Sequence, residues 1–253
     1  MDVLNFSGGI DSLALLFVMR KQWPELAVLW VDTGAVYPGI HEYIAKVAAV
    51  VQGDGGRFES VQGEQPNWQK RIGIAVDVVP FRYTVFGRGV HGTTGQGPLY
   101  TTTAHCCHAN IWRPLYERAR ALDAQVIYRG QKARRHEDMA SPIDSRTVTD
   151  DGIEIRFPLE EIGWSRADVF DYCRRECPEL IPSYYAAGEE VSRDCWDCIG
   201  YLQANQYRLR HMPTPEMQDE IDRRLRDYSD ALEEDFALLR SVMPQERMSH
   251  ARQ

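Results

Sequence analysis

The chain has 253 residues, 43% hydrophobic and 26% charged, enough for one large α/β domain with a small helical appendage. Its 29 basic and 37 acidic residues leave a net charge of −8, which argues against nucleic-acid binding by bulk charge and leaves a local basic patch as the only route to such a partner. No apolar run approaches the length that crosses a bilayer and no basic stretch precedes the first apolar segment, so a soluble cytoplasmic protein without membrane contact is expected.

Val3-Leu4-Asn5-Phe6 reads as a buried strand, and residues 13–19 read as the helix that follows it. Between them stands Ser7-Gly8-Gly9-Ile10-Asp11-Ser12. Two glycines at a strand-to-helix turn let backbone N–H groups converge on an anion, and the helix start adds unpaired donors and the positive end of its dipole. With the hydroxyls of Ser7 and Ser12 this makes a phosphate or pyrophosphate cradle. Its spacing is neither that of a Walker loop nor that of a Rossmann fingerprint. The plainer alternative is an ordinary turn capped by Asp11 or Ser12. Residues 27–31 predict a second buried strand closed by Asp32-Thr33-Gly34, residues 41–51 a helix, and residues 58–61 a third strand after the turn at 53–56. Such alternation implies a doubly wound, mostly parallel sheet that binds ligands at the carboxyl ends of its strands, where Ser7–Ser12 and Asp32–Gly34 both fall.

Residues 81–103 are rich in Gly and Thr without clear periodicity, which predicts a mobile loop over the site or a disordered insertion. Residues 111–122 predict a helix and 125–128 a strand. Gly130, Lys132, Arg134, Arg135 and His136 follow, so their charges are delivered to the same sheet end as the glycine turn. Arginine offers paired donors to phosphate or sulfate oxygens and lysine a compact charge, which makes Lys132, Arg134 and Arg135 the candidate catalytic cations. A solvated surface run is the alternative. Residues 153–157 predict another strand and 164–177 a helix with Ser165 as N-cap and Asp168 in its first turn. From 216 to 239 apolar residues recur on one helical stripe that packs on the chain's own body or forms a homodimer contact. The expected division is an α/β domain over residues 1–200 and a helical extension over 201–253.

Six cysteines in a reducing compartment point to metal ligands, catalytic thiols or buried apolar side chains rather than to disulfides. Cys106-Cys107 and Cys195-Trp196-Asp197-Cys198 could hold an iron–sulfur cluster or a structural zinc. Adjacent cysteines suit the separate corners of a 4Fe–4S cluster better than a single ion, though spacing leaves both open. Cys173 and Cys177 read as buried thiols on a helix.

The hexamer at Ser7 resembles the PP-loop of the ATP-pyrophosphatase superfamily, which includes PAPS and APS reductases and tRNA-thiolating enzymes. A Cys-Cys pair followed far downstream by Cys-x-x-Cys resembles the cluster-binding pattern of bacterial and plant-type APS reductases. Residues 31–34 look like that family's segment at the adenosine pocket, residues 128–135 like its strand and basic loop, and Phe157-Pro158-Leu159, Trp164-Ser165 and Asp168-Val169 like its later helix start. The resemblance implies an adenine nucleotide α-hydrolase-like fold of Rossmann type. It also implies a nucleotide ligand (ATP, APS or PAPS) contacted by Ser7, Gly8, Gly9, Asp11, Ser12, Asp32, Thr33, Gly34, Gly130 and His136. A 4Fe–4S cluster on Cys106, Cys107, Cys195 and Cys198 is implied as well, with a thiol or other reductant as partner.

The family's nucleophilic cysteine, carried in a Glu-Cys-Gly-Leu-His-like tail, has no counterpart after Cys198. Three functions are therefore weighed: sulfonucleotide reduction or sulfur transfer; adenylation by an ATP-pyrophosphatase-type enzyme, with Mg²⁺ and Asp11 at the phosphates, for thiolating a nucleic acid or small acceptor; and a non-catalytic nucleotide or redox sensor.

Overall fold

The structure, a computed structural model, describes residues 1–91, 97–131, 146–185 and 195–243. In chain order it runs β1 (Asp2–Asn5), α1 (Ile10–Val18), β2 (Leu26–Asp32), α2 (Ile40–Gly53), β3 (Arg57–Gln62), α3 (Gln65–Ile72) and β4 (Ile74–Val76). There follow α4 (Val85–His91), β5 (Tyr100–Thr102), α5 (Thr103–Cys107), α6 (Arg113–Ala121), β6 (Val126–Arg129), β7 (Arg146–Val148) and β8 (Glu154–Arg156). The chain continues through α7 (Pro158–Glu161), α8 (Arg166–Glu176), α9 (Leu202–Arg210) and α10 (Pro215–Val242).

Packing divides the chain into two units. The first joins Met1–Glu64 to His108–Trp196, and the second joins Gln65–Cys107 to the chain from Asp197 onward. This is not the expected cut at residue 200, because the segment that follows β3 shares its core with the C-terminal helices.

The first unit is built on a six-stranded sheet in the order β3-β2-β1-β6-β8-β7. All neighbours are parallel except β7, which runs antiparallel to β8. This is the doubly wound, mostly parallel α/β sheet expected from the sequence. Winding runs outward from β1 through β2 to β3, then returns across β1 to β6, so the order reverses between β1 and β6. Right-handed crossovers on either side of such a point put helices on opposite faces. Alternate residues Val3, Ala27, Leu29, Val31 and Ile127 form one buried face and pack against Leu115 and Ala119 of α6. On α1, Ile10 and residues 12–17 are buried, as an apolar helix enclosed on several sides requires. α8 starts on a complete capping box: Ser165 Oγ accepts the Asp168 amide, and Asp168 Oδ2 accepts the Ser165 amide at 2.8 Å.

The second unit has a two-stranded parallel sheet of β4 and β5. Ile74, Val76 and Tyr100 pack with Leu209 of α9 and with Ile221, Tyr228 and Ala231 of α10. The Tyr228 hydroxyl donates to the Val78 carbonyl at 2.7 Å and accepts the Val78 amide at 3.0 Å. The predicted stripe of α10 thus packs on its own chain over most of its length, while Phe236 and Leu239 near its end stay exposed.

The loop expected over residues 81–103 is largely regular structure: a helical turn at Phe81–Tyr83, then α4 and β5. Thr84 Oγ1 accepts the Gly87 amide at 2.8 Å, and the Arg88 guanidinium donates to the Pro98 carbonyl at 3.0 Å. Gly87 is needed where it stands, since a Cβ there would overlap the Phe81 carbonyl oxygen. The five residues 92–96, with Gly92 and Gly95 among them, lie outside the described residues. Among the described residues no helix is long and apolar enough to cross a membrane.

Candidate functional site

The carboxyl ends of β1 and β6 open onto a cavity of about 440 Å³, a size usual for small-ligand sites. Ser7, Gly8, Gly9, Asp11, Ser12, Thr33 and Gly130 line it, all picked out by the sequence. Gly8 adopts φ +82°, which glycine accepts without strain, and Gly9 is the extended residue before α1. Ser12 Oγ donates to the Gly9 carbonyl at 2.8 Å and accepts the Ser7 amide at 3.2 Å. Ser7 Oγ accepts the Gly9 amide at 3.3 Å, and the Tyr185 hydroxyl accepts the Ile10 amide at 3.0 Å. The turn is therefore open to the cavity, but three of its amides rest on hydroxyl groups. Hydroxyls donate as well as accept, so each can swing to bond an incoming anion that takes over its amide.

Gly130 explains how β6 reaches this turn. A Cβ at that position would stand 2.6 Å from the Ser12 Cα and 2.7 Å from the Ser12 nitrogen, so only glycine lets the two backbones meet. Asp32 and Gly34 do not line the cavity. They shape the neighbouring turn instead: Asp32 Oδ1 accepts the Gly34 amide at 2.9 Å, its other oxygen lies 2.8 Å from His41 Nε2, and Gly34 takes φ +80°. Lys132, Arg134, Arg135 and His136 lie outside the described residues.

The walls add residues that the sequence reading missed. Phe6, Trp30, Val36, Ile40 and Trp112 make an apolar interior suited to a flat heterocycle. Tyr184, Tyr185 and Arg166 form another wall, with ring centroids of the two tyrosines 4.5 Å apart and the Arg166 guanidinium 6.0 Å from the Tyr185 ring. Burial raises the Tyr185 phenol above its ordinary range. Arg129 lines the cavity at the end of β6, and burial lowers its guanidinium's affinity for a proton from the usual value. Its placement was readable in one respect, since it alternates with the core residue Ile127 on one sheet face.

None of the six cysteines is joined in a disulfide. In the first unit Cys195 bridges Val36 in an antiparallel pair and its thiol donates to Thr33 Oγ1 at 3.3 Å. The other three of the proposed set belong to the second unit. There Gly200 sits directly against Thr103 at the start of α5, the helix of Cys106 and Cys107. Tyr201 is pushed up to about 12, by burial first and then by Cys107, with Cys198 adding to the effect. The Cys198 segment is braced by two arginines, the buried Arg208 and the half-buried Arg224. Arg208 donates to the Cys198 carbonyl at 2.6 Å, while Arg224 donates to the Asp197 carbonyl at 2.6 Å and pairs with its carboxylate at 3.1 Å. Among the described residues no three His, Cys, Asp or Glu side chains stand close enough to hold a metal ion. Within the second unit Cys107 and Cys198 both act on Tyr201, and thiolates of this kind are the ligands that iron–sulfur clusters use. Cys173 and Cys177 are fully buried, as expected, and the Cys173 thiol is raised by its hydrogen bond to Cys177 and by burial.

The fold and the position of the cavity define a mostly parallel α/β protein whose candidate site lies where the strand order reverses. More particularly, residues 2–71 match the family model described as phosphoadenosine phosphosulfate reductase domain, which bears out the resemblance over β1 to α3. Among solved structures, a phosphoadenylyl-sulfate (PAPS) reductase from Candida auris in a phosphate complex is similar at 15% identity and a TM-score of 0.49, over 77% of this chain and 81% of that one. No curated protein matches in sequence.

Proposed function

We propose that this protein is an enzyme of sulfur metabolism that binds an adenine nucleotide or sulfonucleotide, with its phosphates on the Ser7–Ser12 turn. The observation that carries the reading is the glycine and serine turn opening onto a cavity at the strand-order reversal, inside the stretch that matches the reductase family. Backbone amides and the positive end of α1 hold the anionic tail. The aromatic and aliphatic walls take the base, and Lys132, Arg134 and Arg135 neutralise charge as the reacting bond breaks. Cys106, Cys107, Cys195 and Cys198 are the proposed holders of a 4Fe–4S cluster, which when bound supplies one-electron and sulfur chemistry. A small thiol or thiol protein is the proposed reductant.

One observation favours a second reading. Outside the four-cysteine set, the thiols of Cys173 and Cys177 are fully buried, and Cys173 is held protonated, so neither is an available nucleophile. Adenylation of an acceptor with release of pyrophosphate needs no such thiol, and Mg²⁺ with Asp11 at the phosphates would serve it. The deciding experiment supplies ATP, APS and PAPS separately, with a thiol reductant, to anaerobically purified protein whose iron and sulfide are counted. Sulfite and AMP, or its 3′-phosphorylated form, mark reduction, and pyrophosphate marks adenylation. Binding without any product would reduce the protein to a sensor. One zinc and no sulfide per chain would remove the cluster from the account.

A further inference from the structure

Two polar side chains stand side by side in the cavity lining with bonding capacity left unmet among the described residues. Asn5 ends β1 and Arg129 ends β6, and they are direct partners in the parallel register of those strands. Both follow core residues, Val3 and Ile127, by two positions and so share the sheet face that α6 covers. Both line the cavity. The Asn5 Oδ1 atom is buried and has no hydrogen-bond partner among the described residues. Arg129 has neither an ion pair nor a hydrogen bond among the described residues, and burial alone accounts for the shift of its guanidinium. An unmatched buried acceptor and an unpaired cation each cost stability, and native folds rarely keep either without use. Their position is also fixed, because Gly130, the next residue after Arg129, presses against the backbone of Ser12.

We propose that Asn5 and Arg129 form a second recognition point beside the glycine turn, at which Arg129 takes an anionic phosphate oxygen of the nucleotide and Asn5 accepts a sugar hydroxyl next to it. The inference rests on the nucleotide reading above and sharpens it: the ligand must carry a phosphate close to its sugar, as a 5′-phosphorylated adenosine does. The guanidinium fits this task because it stays charged when desolvated and offers paired donors. Among the described residues it is a cation without a counter-charge, so binding relieves a cost present in that part of the fold.

The test is calorimetric titration of the full chain with ATP, AMP and adenosine, alongside thermal melts with and without inorganic pyrophosphate. For Arg129→Met the account expects AMP and ATP to bind roughly tenfold to a hundredfold more weakly, adenosine to bind unchanged, and the unliganded melting temperature to hold or rise. Arg129→Lys should fall between the two. Asn5→Ala should weaken AMP and adenosine alike, since the donor it accepts is present in both. Undiminished AMP and ATP binding by Arg129→Met overturns the proposal and leaves the nucleotide site standing, as does a clear fall in its unliganded melting temperature, which would make Arg129 structural. Unchanged binding of both ligands by Asn5→Ala overturns the Asn5 half. If the wild-type chain binds none of the three, the nucleotide reading itself fails. The anion anchor is then judged on pyrophosphate: stabilisation of wild type but not of Arg129→Met supports it, and any other pattern overturns it.

Discussion

In β3 the Glu59 carboxylate is placed between Arg57 and Arg118, with the Arg118 Nε donating to it at 2.7 Å. Arg118 projects from α6, so the pair ties the sheet edge to the helix that covers the sheet. The hydrogen bond from Arg118 is the largest cause holding Glu59 below its ordinary value of 4.5. A carboxylate depressed by folding adds stability that is fully present above the unfolded value and is lost as pH falls through the lower folded value. Thermal melts of wild type and Glu59→Gln should therefore differ near neutrality and converge as pH drops well below 4.5. The difference near neutrality should be small, since the pair is part-exposed and screened by salt. A gap that widens on acidification would refute this account of the pair.

Among the elements, the approach of β6 to α1 decides whether a site exists. The contact is backbone to backbone, made through Gly130 against Ser12 and Asp11, and no side-chain rotation can relieve a Cβ placed there. Gly130→Ala should force the strand end and the turn apart, cost about 1–3 kcal/mol of stability, and weaken nucleotide binding more than the fold. Chemical denaturation with a parallel binding titration measures both. Binding that survives intact would show that the cradle does not depend on this contact. The same scale explains why some elements were readable and others were not. α8 announced itself, because Ser165 and Asp168 complete each other's hydrogen bonds within one turn. β4 is only Ile74-Ala75-Val76, three residues that acquire meaning through pairing with β5. α4 carries two glycines and starts on the Thr84 hydroxyl, which accepts the Gly87 amide, so composition pointed to a loop.

Over the whole molecule, the doubly wound, mostly parallel sheet followed from alternating apolar runs, and one turn with an unusual glycine and hydroxyl spacing marked the strand end that opens onto the cavity. The hexamer was legible because its chemistry is local: six consecutive residues supply the amides, the hydroxyls and the helix start. Arg129, Tyr185 and Asn5 were not, since their roles come from strand register and from a chain reversal some 175 residues downstream of Ile10. Nor did the division into two units follow the order of the chain, because β4 and β5 found their core partners in α9 and α10. The account as a whole depends on Ser7–Ser12 taking up the phosphates of a nucleotide. Hydrogen exchange of the backbone amides from Gly8 to Ser12, with ATP, AMP or adenosine added, tests that most directly. ATP should slow exchange across this turn markedly and adenosine should leave it nearly unchanged; exchange there that is indifferent to ATP at saturating concentration would contradict the account.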